Sequence, residues 1–171
     1  MNRNNILQHW IQAKSFWIAL IILSLSMNGL ALFFQYVLEE PPCILCIHFR
    51  LLFVLITFFA IIGLLVRKNK ALRIIALTGI LGAFTFMTER AYQTLGTEKG
   101  FVSGECSAIL NFPDWIAVDR WIPWLFQPMT SCGRTPELFF GITMAEALMA
   151  FTIVMTLLMA WSLLAAIRDK S

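Results

Sequence analysis

The sequence predicts an all-α membrane protein: a bundle of four transmembrane helices with one long periplasmic loop that carries a short membrane-parallel helix. Three observations carry that expectation. Of 171 residues, 59% are hydrophobic and 13% charged, with a mean hydropathy of +0.77, which leaves too little polar surface to cover a soluble globule. Four stretches stay apolar over the roughly 20 residues that a helix needs to cross a hydrocarbon core. Lys and Arg collect on one side of those stretches and the acids on the other.

Spans are expected at about 16–38, 47–66, 71–88 and 143–167, as one domain over 1–171, with the outer loop at about 91–141. The first span is longer than a signal-peptide core. It runs into Glu39, Glu40, Pro41 and Pro42 without a small-residue cleavage site, so it is read as an anchor that stays. Arg3, Lys14, Arg67, Lys68, Lys70, Arg73, Arg168 and Lys170 put eight of the thirteen basic residues on one side, against Asp169 alone among the acids. Basic flanks are retained in the cytoplasm, so both termini are expected there and the long loop outside. The net charge of +3 comes from these flanks. It forms no patch that would follow a nucleic-acid backbone, so the expected surroundings are lipid bilayer and not nucleic acid.

A loop of about fifty residues is far longer than most connections, and loops of that length are usually functional or disordered. Composition argues against disorder: Phe112, Trp115, Ile116, Val118, Trp121, Ile122, Trp124, Leu125 and Phe126 crowd its middle, with Asp114, Asp119 and Arg120 as a polar side. Between Pro113 and Pro123 there is room for about three helical turns lying in the membrane interface. Such a helix tethers Cys106 and Cys132 near the mouth of the bundle.

All four cysteines, Cys43, Cys46, Cys106 and Cys132, fall on the outer side, where an oxidising compartment favours disulfides. A close Cys-Ile-Leu-Cys pair can bind metal, staple a loop or exchange electrons. Structural zinc usually takes two close pairs, and only Cys43 and Cys46 are close, so no metal site is assigned. The simplest resting pairing joins Cys43 to Cys46 and Cys106 to Cys132. A bond across two residues constrains the unfolded chain little, which favours redox work over stapling.

The pair opens the second span, where unpaired amides and the helix dipole stabilise a thiolate, with Cys46 the better placed. Arg50 lies one turn beyond Cys46 and about two beyond Cys43, on a shared face. A charge among Leu51, Leu52, Phe53 and Val54 costs about 2.5 kcal/mol or more at mid-membrane, which marks function, although snorkelling from the helix end is the alternative. Arg50 suits a thiolate neighbour and an anionic or carbonyl-bearing cofactor. Gln35, near the outer end of the first span, is positioned to donate into the same mouth or to pack helices together. His48 faces elsewhere and reads as an interfacial residue.

Taken in order, Pro42-Cys43-Ile44-Leu45-Cys46-Ile47-His48-Phe49-Arg50, Cys106 followed by Phe112-Pro113-Asp114-Trp115, Asp119-Arg120-Trp121-Ile122-Pro123, and Cys132 form a specific set. Over nearly its whole length the chain resembles the DsbB family of bacterial inner-membrane thiol oxidases. The resemblance implies a relay. A periplasmic DsbA-like thioredoxin-fold protein attacks the Cys106–Cys132 disulfide at Cys106, and freed Cys132 attacks Cys43. Cys46 then leaves as a thiolate beside a bound quinone, ubiquinone or menaquinone, and two electrons reach the membrane quinone pool. Family members often carry a His near the outer end of the third span, close to the quinone. Gln93 takes that place here, and glutamine can bond a carbonyl but cannot supply a proton near neutral pH. The alternatives are a specialised paralogue with one dedicated partner, a system running reductively, since direction follows relative potentials, and a non-enzymatic scaffold whose disulfides hold a docking loop.

Overall fold

A computed structural model describes residues 12–39, 41–101, 121–126, 137–139 and 141–168. In chain order the elements are α1 (Lys14–Tyr36), α2 (Ile44–Val66), α3 (Lys70–Lys99), a single turn α4 (Pro123–Phe126), an antiparallel ribbon of β1 (Glu137–Phe139) and β2 (Ile142–Thr143), and α5 (Met144–Arg168). The four long helices have 23, 23, 30 and 25 residues. At 1.5 Å per residue each exceeds the roughly 30 Å of a hydrocarbon core. All are apolar enough to cross it, and the protein is an all-α, multi-pass membrane protein.

Within the bundle α1 packs on α2, α2 on α3, and α3 on α5. Trp17, Ile56, Leu77, Ile80, Phe84 and Met87 are fully buried in the shared core. Ile22, Phe58, Leu65, Leu157 and Trp161 are largely exposed, as befits side chains that face lipid. Hydroxyls link helices where no water is at hand: Ser24 Oγ meets Thr57 Oγ1 at 2.7 Å between α1 and α2, and Thr88 Oγ1 meets Thr156 Oγ1 at 3.1 Å between α3 and α5. Such bonds contribute about 0.6 kcal/mol each.

One glycine is set by close approach. A Cβ at Gly63 would lie 2.0 Å from the Trp17 ring, so α2 presents bare backbone to the indole of α1. Gly63→Ala is therefore expected to overpack the interface and cost about 1–3 kcal/mol, read as a lower unfolding temperature in detergent. An unchanged temperature would mean that the indole has room to move.

The third helix runs further than hydropathy predicts, from the expected end near Thr88 to Lys99. Its last turns are polar but satisfied within the helix: Thr94 and Thr97 hydroxyls donate at 2.8 Å to the carbonyls of Arg90 and Gln93. Gly100, at φ 76°, closes the helix with a left-handed cap that a side chain would disfavour. The outer loop thus begins after this cap and not at residue 91. Across from it, Thr143 and Glu146 form a reciprocal capping box at the start of α5, with bonds of 3.3 and 3.4 Å. Lys99 reaches Glu146 at 2.7 Å and ties the two helix ends together. The helix expected between Pro113 and Pro123 falls almost wholly outside the described residues, as do Cys106 and Cys132; the described turn α4 begins at Pro123.

Candidate functional site

Pro41 and Pro42 cannot extend a helix, so the chain leaves α1, reverses through Glu39 at φ 54° and enters α2 at Ile44. Cys43 becomes the residue just outside the first turn, and its Sγ accepts the Cys46 amide at 3.4 Å. Sequence reasoning assigns the benefit of the helix start to Cys46; the amide bond goes to Cys43, because the helix begins one residue after it. Cys46, inside the first turn, still feels the dipole. Cys43 is buried and Cys46 half-buried, with their sulfurs 2.9 Å apart. A disulfide bond of about 2 Å between them asks for little movement.

One turn further, Arg50 is 3% exposed. Its Nη1 donates to Gln35 Oε1 and, at 3.0 Å, to the Leu125 carbonyl; its Nη2 donates to the Ala31 carbonyl at 2.9 Å. Gln35, 9% exposed, accepts from Arg50 through Oε1, and the donors of its amide are on the other atom, Nε2. All three partners are neutral. Among the described residues no carboxylate meets this guanidinium, and its buried Nε has no partner. Of five guanidinium hydrogens, three are engaged, which leaves Nε–H and one on Nη2.

Arg50 and Cys46 both line a cavity of about 210 Å³. Phe49 and Phe53 continue its α2 wall, α1 adds Met27, Ala31 and Phe34, and α5 adds Met144, Ala147, Leu148 and Phe151. A cation and a thiol thus share an otherwise apolar chamber. The Ala31 and Leu125 carbonyls that hold Arg50, and the Met27 and Met144 walls of the cavity, have no sequence signal of their own.

Gln93 is held elsewhere. Its Oε1 accepts from Arg90 Nη1 at 3.0 Å and its Nε2 donates to Glu89 Oε1 at 3.1 Å, so it bridges those two charges along α3. Arg90 also stacks on Phe86 at 4.6 Å. Neither Gln93 nor His48 is among the residues lining the cavity; His48 Nδ1 donates to the Ile44 carbonyl at 2.9 Å.

The family model described as "Disulfide bond formation protein DsbB" matches residues 13–162. Among curated relatives, "Disulfide bond formation protein B" of Haemophilus influenzae (strain 86-028NP) is 30% identical over 161 residues, 90% of each chain. "Disulfide bond formation protein B 2" of Pseudomonas aeruginosa is 31% identical over 149 residues, covering 86% of this chain and 88% of the relative. The Pasteurella multocida protein of the first name is 29% identical, with 86% and 83% covered. A cysteine-capped second helix, a buried arginine one turn on, four membrane-crossing helices and a match over most of the chain agree: this protein belongs to the DsbB family of disulfide bond formation proteins, and is a disulfide-forming oxidoreductase.

Proposed function

We propose that the protein is a thiol:quinone oxidoreductase of a bacterial inner membrane. It reoxidises a periplasmic DsbA-like dithiol protein and delivers two electrons to the quinone pool. The observation that carries the reading is Arg50: a buried cation with no acid partner among the described residues, lining an apolar cavity with Cys46. An uncompensated charge at this depth is costly, and the cost is offset when negative charge develops beside it.

A quinone fits these residues in kind, with apolar walls for its ring and open Arg50 hydrogens for a carbonyl oxygen. When bound it would supply a two-electron, two-proton acceptor, leaving as quinol while the partner dithiol becomes a disulfide. Within the chain, Cys43 takes the incoming thiolate attack through Cys132, and Cys46 is released as a thiolate that Arg50 stabilises. Gln35, Ala31 and Leu125 hold the guanidinium in place. The single four-span domain sits with both termini in the cytoplasm, a placing supported by Arg67, Lys68, Lys70 and Arg73 at the α2–α3 turn, opposite the cysteines.

Ala147→Phe puts a ring into the chamber from α5 without touching a cysteine. Quinone reduction by the purified protein is expected to fall more than about 10-fold, on the scale of a misfitted reacting pair, while thiol exchange with the partner continues. Unchanged quinone reduction would show that the acceptor site lies elsewhere.

A further inference from the structure

Helix α4 is one turn long, and a lone turn does not hold itself in water or at an interface. Something seats it. Phe126 is 4% exposed although its neighbour Trp121 is 66% exposed, and α4 packs on α2. The Leu125 carbonyl is the one α4 acceptor that Arg50 reaches, 75 residues away in sequence. Inside the turn, the amides of Leu125 and Phe126 both donate to the Ile122 carbonyl at 3.1 Å.

Arg50 Nη1 divides its two hydrogens between Gln35 and Leu125. Gln35 and Ala31 hold the guanidinium from α1, and the Leu125 carbonyl is the third contact, the one from outside that helix, that completes how it is turned. We propose that α4 is a positioning latch for the acceptor site: Phe126 anchors the turn, and the Leu125 carbonyl then orients Arg50 so that its open hydrogens serve the cavity. Phe126 is a positioning residue, acting through Arg50.

The latch rests on the quinone reading of that cavity, and it adds a consequence. Coupling between two equilibria is reciprocal. If a seated α4 favours quinone, quinone favours a seated α4. Because α4 lies between Cys106 and Cys132 in sequence, loading the acceptor and anchoring the stretch that delivers electrons become one equilibrium.

Hydrogen exchange of the wild-type protein in lipid nanodiscs, with and without ubiquinone-1, tests this directly. Saturating ubiquinone-1 is expected to slow exchange at the Leu125 and Phe126 amides about 5-fold or more, the lower end of site-to-site coupling. In Arg50→Met that protection disappears. Phe126→Ala is expected to raise KM for ubiquinone-1 by a similar factor with kcat little changed, and Phe126→Leu to restore it. Ubiquinone-1 that is reduced normally yet leaves these amides unprotected overturns the latch and spares the quinone reading. Failure of the protein to reduce ubiquinone-1 at all, with thiol exchange intact, overturns the quinone reading itself. Should Phe126→Ala not insert, the wild-type exchange result decides alone.

Discussion

Cys43→Ser is expected to abolish disulfide formation while leaving the bundle as stable as the parent. Cys43 has two separable duties. Its sulfur accepts the Cys46 amide and so caps α2, and it faces Cys46 Sγ at 2.9 Å. Serine is among the preferred capping residues, whereas alanine at a cap costs about 1 kcal/mol. The substitution therefore keeps the first duty and deletes the second. Without its sulfur no disulfide can pass to Cys46, and loss of a nucleophile lowers turnover on the order of 10³-fold or more. A scaffold stapled by this bond predicts the opposite pattern, lower stability and no catalytic change to lose. Oxidation of a dithiol partner and thermal unfolding in detergent, measured on one preparation, separate the two. Retained turnover would remove Cys43 from the relay.

The membrane-crossing helices were legible because lipid imposes one simple demand, about twenty apolar residues in a row. Their ends were less so. Hydropathy sees where lipid stops, but α3 continues to Lys99 on hydrogen bonds between Thr94, Thr97 and its own carbonyls. The cysteine pair and Arg50 were legible for a different reason, since a charge inside an apolar run and a fixed spacing along one helix are local facts. What surrounds Arg50 was not. Two of its three partners are backbone carbonyls, Ala31 and Leu125, and a carbonyl is the same group at every position. The α5 wall of the cavity, Met144 to Phe151, reads in sequence as one more apolar stretch.

The two glutamines show how far position along a span reaches. Gln35 does meet Arg50, yet as an acceptor, because a fully charged guanidinium has only donors to offer. Gln93 stands, by the resemblance, where family members often carry a His close to the quinone. Its two nearest charges, Glu89 and Arg90, lie within a turn on the same helix and engage both ends of its amide. Local partners at i−3 and i−4 are reached without any tertiary arrangement.

Arg50→Met is expected to lower quinone reduction about 10²–10³-fold, the scale seen when one donor to a developing negative charge is removed. Partner thiol exchange is expected to survive, since neither cysteine changes. Methionine keeps an unbranched apolar stem, so the cavity retains most of its wall while losing its cation. For stability two effects oppose. The substitution deprives Gln35, Leu125 and Ala31 of their donors, at about 1–3 kcal/mol for each group left buried and unsatisfied. It also removes a charge that costs about 2.5–3.5 kcal/mol at mid-membrane. Three such groups sum to about 3–9 kcal/mol, which matches or exceeds the charge term, so the unfolding temperature is expected to fall or hold, and not to rise, alongside the catalytic loss. Arg50→Lys refines the result: a point charge with three donors keeps the sign of the field but cannot reproduce a planar fork. If lysine restores quinone reduction fully, charge alone is what the site needs. If it restores only part, the orientation set by the three carbonyl oxygens matters as well, and a full-rate Arg50→Met would remove the arginine from the chemistry altogether.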